Sequence, residues 1–365
     1  MRRLQAIFSL PSVRRWPQYS RLFLLKDRAL WVLSEEARAL NSICNKLGCQ
    51  VADTRYLPYA KKQAVFHFNR YELFFSDYWE RSSHRLATVY YHGMPGCGEP
   101  AFDKSFDGLC RMHQRLDRIQ VTNNRMKELI LSSGIDPAKV FLIPIGVDSG
   151  LFRRPNAEQR QSIRARLGIP DGSIVIGSFQ KDGCGWGEGN EPKMVKGPDV
   201  FLKAIELLRE NNPHICVLLT GPSRGFVMNG LKRLGIEYKH IFVERYEEMA
   251  DIYHALDIYI VASREEGGPK AVLEAMASGV PLVSTRVGQA VELVEHCVNG
   301  WIVDLEDAEG LAHWAGYIIY NQGNLEQVLD SARNTAEMNC LDDQLPLWRN
   351  FMNGFVEGMP NSYPK

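Results

Sequence analysis

Two glutamates separated by seven residues, Glu266 and Glu274, are the side chains best placed for chemistry in this sequence. They lie in the string SREEGGPKAVLEAMASGVP, residues 263–281. Two carboxylates at this spacing could bind hydroxyls at opposite ends of one extended ligand, such as a sugar and a ribose. The spacing alone also allows a simpler reading, in which Glu266 caps a helix and Glu274 is exposed to solvent.

The glycines between the two glutamates indicate a phosphate site. Gly267 and Gly268 let the backbone approach a ligand closely, and Pro269 suits the first turn of a helix. The string follows a predicted strand at residues 258–262, and the helix is expected to end at Gly279. A helix N-terminus offers free amide donors and a partial positive charge, so this turn predicts a diphosphate-binding site.

The whole string resembles the retaining glycosyltransferases of family 4, which have the two-domain architecture called GT-B. The resemblance extends over roughly residues 119–303 and is poor over the first hundred residues. It implies a hexosyltransferase that moves a sugar from a nucleotide diphosphate sugar with retention of anomeric configuration. It also implies that Glu266 contacts the donor sugar near the reacting carbon and that Glu274 holds the ribose hydroxyls.

The same resemblance extends to the turn that joins the two glutamates. Its donor-binding residues are Gly267, Gly268, Pro269, Lys270 and Ala271. The backbone amides of Gly268, Lys270 and Ala271 are expected to face the diphosphate. No cofactor and no metal are expected, because lysines and helix amides can neutralise the diphosphate and no Asp-x-Asp motif is placed to hold a cation.

A pair of cations is the second feature shared with family 4, and here it would be Lys181 and Lys196. The leaving diphosphate gains negative charge in the transition state, so positive charge must lie close to it. Lys196 stands in a Lys-Gly-Pro context that fits the family motif. Lys181 departs from the pattern, since arginine is common there and lysine lacks the bidentate fork. Two solvated lysines flanking a loop are the alternative.

A glycine-rich stretch, DGCGWGEGN at residues 182–190, lies between the two lysines. It does not match Gly-x-Gly-x-x-Gly, because position 188 is Glu188, so a nicotinamide oxidoreductase is not favoured. It predicts a mobile loop over the donor phosphates, or else an insertion without a role.

A histidine in the first half of the chain is a further candidate for the site. His92 follows the predicted strand 87–91 in the segment YYHGMPG, and it resembles the family histidine that faces the donor sugar. A structural histidine at a strand end is the alternative. The segment VTNNR, residues 121–125, also matches the family. The glycine-rich loop usual near the N-terminus is absent, and Ser34-Glu35-Glu36 stands instead.

Short apolar runs alternate with helical patterns, which predicts parallel sheets covered on both faces. Predicted strands in the second half are residues 174–179, 215–220, 241–243, 258–262, 281–284 and 301–303. Predicted elements in the first half are strands at 30–33, 64–68, 87–91, 119–122 and 140–143, and helices at 35–46, 104–115 and 124–133, with Ser34 as a helix cap.

The fold class is therefore predicted as α/β, with two doubly wound, Rossmann-like domains of the GT-B type facing across a cleft. Residues 1–150 are expected to form the acceptor-side domain, and residues 151–342 the domain that binds the nucleotide sugar. A helix at about residues 343–358 is expected to pack back on the first domain. The proline- and glycine-containing stretch 144–170 is the predicted link.

Composition excludes some classes of partner and places the protein in the cytoplasm. Lysine plus arginine and aspartate plus glutamate number 43 each, so no overall field favours nucleic acid. The eight cysteines are scattered without a Cys-x-x-Cys pair, which is typical of a reducing compartment rather than of zinc or disulfide frameworks.

Residues 1–21 contain five arginines and no acidic residue, which predicts peripheral contact with an anionic membrane. A basic leader without function is the alternative.

The function predicted on these grounds is transfer of a sugar to a glycan or lipid-linked acceptor, in the biosynthesis of a cell-surface polysaccharide or glycoconjugate. A nucleotide-sugar 2-epimerase of the same fold is one alternative. A catalytically silent nucleotide-sugar-binding homologue is another, although such a protein would have little reason to keep both glutamates and Lys196 together.

Overall fold

The computed structural model describes residues 21–26, 32–59, 62–90 and 93–359. Within these ranges the chain forms two α/β domains, each built on a parallel sheet of six strands. None of the described helices is both long enough and apolar enough to cross a membrane.

The first domain contains the sheet with strand order β2-β1-β3-β4-β5-β6. Its strands are β1 (Arg21–Leu25), β2 (Gln50–Ala52), β3 (Ala64–His67), β4 (Arg85–Tyr90), β5 (Leu116–Val121) and β6 (Val140–Leu142). Its helices are α1 (Val32–Lys46), α2 (Arg70–Phe75), α3 (Asp77–Arg81), α4 (Pro100–Met112) and α5 (Asn124–Ser132).

The second domain contains the sheet with strand order β12-β11-β10-β7-β8-β9. Its strands are β7 (Ile174–Ser178), β8 (Ile215–Thr220), β9 (Glu237–Ile241), β10 (Ile258–Val261), β11 (Leu282–Thr285) and β12 (Trp301–Val303). Helices around it are α6 (Ala157–Arg166), α7 (Pro198–Asn211), α8 (Gly225–Leu234), α9 (Met249–His254), α10 (Lys270–Ala277), α11 (Ala290–Leu293), α12 (Ala308–Tyr320) and α13 (Glu326–Glu337). The central strands are apolar throughout because both faces are covered: all six residues of β8 are buried.

The structure corrects the predicted start of the first domain. The strand predicted at residues 30–33 is wrong, because Val32 and Leu33 belong to α1 and the first described strand is β1. Ser34 consequently lies inside α1 and does not cap it. The segment RLFLL of β1 is short and begins with Arg21, so it resembles the basic leader before it, yet its three middle residues are buried.

The strand predicted at residues 241–243 is also misplaced, since β9 covers Glu237–Ile241. Among the described residues this strand pairs only with β8, and it forms one edge of the second sheet. Its sequence, EYKHI, is mostly polar and none of its residues is buried; Glu237 and His240 are exposed, as is common in edge strands. An apolar run is therefore a poor guide to its position.

A last helix, α14 (Leu345–Met352), returns to the first domain. Trp348 and Phe351 join the core cluster that contains Phe66 of β3, and the rings of Phe66 and Phe351 have centroids 5.6 Å apart. The chain crosses back beside the interdomain link, where Val147 pairs with Cys340 in a short parallel bridge.

Candidate active site

An ion pair lies at the carboxyl edge of the second sheet, where the loop that follows β10 leads into α10. Lys196 Nζ is 2.6 Å from Glu266 Oε2, and the two side chains are 19% and 12% exposed. The Ser263 hydroxyl donates to the other carboxylate oxygen at 2.8 Å. The structure thus brings together two residues that are 70 positions apart and that the sequence had proposed separately.

Gln180 supports both members of this pair, and sequence reasoning missed it. Its amide nitrogen donates to the backbone carbonyl of Lys196 at 2.7 Å, and its amide oxygen lies 3.0 Å from the Ser263 hydroxyl, whose single proton it shares with Glu266. Gly197 allows the turn after Lys196: its φ is +59°, and a Cβ there would stand 1.9 Å from the carbonyl oxygen of Ala262. Any residue with a side chain would therefore require the turn or the backbone after β10 to shift.

Glu274 lies on α10 with its carboxylate inside the second domain. The hydroxyls of Tyr246 and Tyr253 each donate to one of its oxygens, and the Tyr253 bond measures 2.9 Å. Burial raises the pKa of Glu274, although nearby Lys270 lowers it in part. Each carboxylate oxygen has a second lone pair, so the two tyrosines orient the group without exhausting its capacity to accept.

Lys270, the first residue of α10, connects the site to the first domain through its side chain. Its Nζ lies 2.7 Å from Glu36 of α1 and 4.9 Å from the centre of the Tyr246 ring. Burial lowers the pKa of Lys270, but the charges of Glu36 and Glu274 outweigh it and the pKa is raised. The sequence had assigned only the backbone amide of Lys270, so this contact of its side chain was not foreseen.

The glycine turn before α10 is held by the first domain. The Thr122 hydroxyl donates to the carbonyl of Gly267 at 3.0 Å, and the Asn123 side-chain amide donates to the same oxygen. Gly268 packs so closely against Ile145 that a Cβ would lie 2.7 Å from its Cδ1 atom. Two residues of the VTNNR segment therefore hold in place the loop that contains Glu266.

The turn ends at the first helical amides. Pro269 is the N-cap of α10 rather than part of its first turn, as its ψ of 97° shows, and this corrects the expectation from sequence. The amides of Lys270 and Ala271 are consequently the first of the helix, at the end that faces the cleft. The first amides of a helix have no partner within it.

Lys181 lies on the loop beside Trp186, with its Nζ 4.2 Å from the ring centre. Burial and the nearby Lys193 lower the pKa of Lys181. Lys193, which the sequence analysis did not single out, is 3.4 Å from Glu99 of the first domain. The two lysines place positive charge on the same loop, next to the interdomain cleft.

Both ends of the glycine-rich loop pack against the second domain, whereas residues 185–188 are exposed. The mobility of the loop stays a prediction. A Cβ at Gly183 or Gly189 would lie within 2.3 Å of the Ser223 backbone, so these glycines allow close packing. Asp182 at the start of the loop forms a fully buried ion pair with Arg224 at 2.8 Å. Arg224 also donates to carbonyl oxygens of both flanking strands.

One predicted site residue, His92, lies outside the described residues.

A cavity of about 390 Å³ opens at the opposite edge of the second sheet, beside Asp257 and Ser278. Parallel α/β sheets bind ligands beyond the carboxyl ends of their strands, so we place the site at the edge that holds Glu266.

Comparisons with known proteins indicate the class to which the chain is similar. The family model described as glycosyl transferases group 1 matches residues 188–320. The D-inositol 3-phosphate glycosyltransferase of Xylanimonas cellulosilytica is 29% identical over 223 residues, which are 58% of this chain and 50% of that protein. The protein of the same name from Mycobacterium leprae is 30% identical over 212 residues, 54% of this chain and 44% of its own. The chain thus spans about half the length of the curated relatives it matches.

Solved structures resemble the chain over most of its length. Anabaena HepE in complex with UDP and glucose has a TM-score of 0.71 at 15% identity, covering 92% of this chain and 99% of that one. A glycosyltransferase from Rickettsia africae has a TM-score of 0.67 at 17% identity, covering 95% and 100%. With the two six-stranded parallel sheets, these likenesses define the GT-B fold. The family model and the named relatives support, within that fold, a group 1 glycosyltransferase.

Proposed function

We propose that the protein is a retaining glycosyltransferase that moves a hexosyl group from a nucleotide diphosphate sugar to a hydroxyl of a glycan or lipid-linked acceptor. The observation that carries the proposal is the Lys196–Glu266 ion pair at the N-terminal end of α10. It joins a cation suited to a diphosphate with a carboxylate suited to a sugar, beside free helix amides.

The pair is expected to separate when the donor binds. The diphosphate would compete for Lys196, whose positive charge stabilises the leaving phosphate as the bond to the sugar breaks. Glu266 would then accept hydrogen bonds from donor sugar hydroxyls, while Ser263 keeps its carboxylate in place. The acceptor hydroxyl attacks from the face that the phosphate leaves, so no nucleophile from the protein is required. Retention rests on the resemblance to family 4.

The remaining donor contacts follow from the same arrangement. Glu274, oriented by the Tyr246 and Tyr253 hydroxyls, would accept from the ribose hydroxyls. Lys181 would add positive charge on the phosphate side of the loop. With these groups the reaction needs no metal and no cofactor. His92 would hold the sugar from the first domain.

The acceptor and the cellular setting are proposed from composition. The five arginines of residues 1–21 suit an anionic surface, and the protein would act in the cytoplasm or at the inner face of a membrane. There it would extend a cell-surface polysaccharide or glycoconjugate. The names of the relatives add D-inositol 3-phosphate to the acceptors that are worth testing.

The test begins with a thermal-shift screen of UDP, GDP, UDP-glucose, UDP-N-acetylglucosamine and GDP-mannose, since a ligand in excess stabilises only the state it binds. Incubation of the binding donor with acceptors should then release nucleotide and form a glycoside whose anomeric configuration, read by NMR, matches that of the donor. Failure of every nucleotide to bind would contradict the proposal, and nucleotide release with an epimerised free sugar would favour the epimerase.

A further inference from the structure

Glu265 precedes Glu266 in the loop, but its side chain turns toward the first domain. Its Oε2 atom is 3.0 Å from Nη1 of Arg125, on the first turn of α5. The Glu265 side chain is only 4% exposed, whereas that of Arg125 is 54% exposed. The two consecutive carboxylates of the loop therefore face the two sides of the cleft.

The first domain encloses Glu265 closely. Gly93, just past β4, has a φ of +142°, and a Cβ there would lie 2.7 Å from Cγ of Glu265 and 2.4 Å from the Phe102 ring. The backbone amide of Met94 also approaches the carboxylate. Burial nevertheless raises the pKa of Glu265 by more than Arg125 and this amide lower it.

The second carboxylate oxygen of Glu265, Oε1, lacks a well-formed hydrogen bond among the described residues. This atom is also buried. Buried polar atoms are nearly always paired, because burying one without a partner costs free energy. A buried acceptor atom without a partner, on a side chain that contacts a half-exposed guanidinium, matches a ligand that donates a hydrogen bond.

We propose that Glu265 and Arg125 form the subsite that binds the acceptor, as a vicinal diol of a saccharide or polyol. This rests on the proposed glycosyltransferase function. One hydroxyl donates to Glu265 Oε1, and its neighbour accepts from a guanidinium N–H group that Glu265 leaves unused. A neutral diol fits because the pair already has no net charge. Glu265 and Glu266 are consecutive residues of one loop, so the proposed diol subsite and the proposed donor-sugar contact are joined by a single backbone segment.

Glu265→Gln is the sharpest variant. Its amide oxygen can still accept from Arg125, but the amide nitrogen then faces the cleft, which replaces an acceptor by a donor without changing shape. Glu265→Ala removes both contacts, and Glu210→Gln on the exposed face of α7 is the control. The donor that turns over in the wild type is used with glucose, galactose, mannose, N-acetylglucosamine and myo-inositol. Nucleotide release is measured against the concentration of each compound.

The expected result is a change in acceptor binding without a change in donor binding. In Glu265→Gln, the KM for the acceptor rises by about tenfold to hundredfold, as the loss of a hydrogen bond to a charged group predicts. The donor Kd and the slow hydrolysis of the donor by water stay within about threefold of the wild type, and the thermal midpoint shows that the variant is folded.

Three results would overturn the inference. An unchanged acceptor KM in the folded variants would leave Glu265 as a structural residue. A donor Kd weakened as much as the acceptor KM would assign Glu265 to the donor site. A wild type that binds nucleotide but is accelerated by none of these compounds would rule out a diol subsite. A wild type that binds no nucleotide would instead contradict the proposed function itself.

Discussion

Tyr253 donates a hydrogen bond to Glu274 across 2.9 Å, and both groups lie inside the second domain. The bond joins α9 to α10, so the carboxylate is oriented before any ligand arrives. Burial raises the pKa of Tyr253 well above its ordinary value, and the tyrosine therefore acts as a donor to Glu274. A ligand that reaches this carboxylate meets a group already in position.

We expect Glu274→Gln to weaken nucleotide binding by ~1–3 kcal/mol, because a charged acceptor of hydrogen bonds becomes neutral. Calorimetric titration with UDP and GDP measures the change. Tyr253→Phe, which keeps the carboxylate and removes one orienting hydroxyl, should have a smaller effect. Equal affinities in Glu274→Gln and the wild type would remove Glu274 from the nucleotide site.

Lys196→Ala should lower kcat by at least ~10²-fold, since it removes a charge placed where negative charge develops. Lys196→Arg keeps the charge and should retain more activity than the alanine variant. Steady-state kinetics on variants with native thermal midpoints gives the answer. A rate for Lys196→Ala within about threefold of wild type would refute the role.

Asn123 has two separable contacts. Its side-chain oxygen caps α5 by accepting from the amide of Met126 at 2.9 Å, and its nitrogen donates to Gly267. Asn123→Ser keeps a capping oxygen but loses the side-chain N–H group that reaches Gly267, so we expect little change in stability but about tenfold slower turnover. Asn123→Ala should in addition lose about 0.5–2 kcal/mol of stability. Denaturant unfolding and kcat, measured together, test this; full turnover in the serine variant would exclude a positioning role.

The buried ion pair between Asp182 and Arg224 is expected to contribute to folding and only indirectly to chemistry. Arg224→Met leaves an uncompensated buried carboxylate and should cost about 3–5 kcal/mol in the free energy of unfolding. The double variant Asp182→Asn with Arg224→Met should recover part of this loss. Urea unfolding of both variants provides the comparison, and equal destabilisation of the two would argue against charge burial as the cause.

Removal of residues 1–20 should reduce binding to anionic vesicles. Each basic residue near such a surface contributes about 1 kcal/mol, and the effect should weaken at physiological salt. Co-sedimentation of the full chain and the shortened chain, at low and at physiological salt, measures the difference. If both forms sediment equally on anionic vesicles, these residues have no role in membrane contact.

The second domain could be predicted largely from sequence because most of its strands are continuous apolar runs and both glutamates of the candidate site lie in one contiguous string. Strands 215–220 and 301–303 were placed at their observed bounds. Strand β1 was missed because its arginine and short length resemble a leader, and β9 was shifted because it is a polar edge strand.

Contacts across the chain were beyond sequence reasoning. Gln180 looks like any polar residue after a strand, and only folding places it between Lys196 and Ser263. The same holds for Glu36, which meets Lys270 from 234 positions away. No local period or motif encodes such a partnership, since it depends on how two domains pack.

The return of α14 to the first domain affects the order in which the chain can mature during synthesis. The ribosome makes the strands of the first sheet early, and domains commonly begin to fold in that order. Phe351 and Trp348, which cover Phe66, emerge almost 300 residues later. Until then an aromatic face of the nascent domain is uncovered and open to chaperones, so the domain that is made first is completed last.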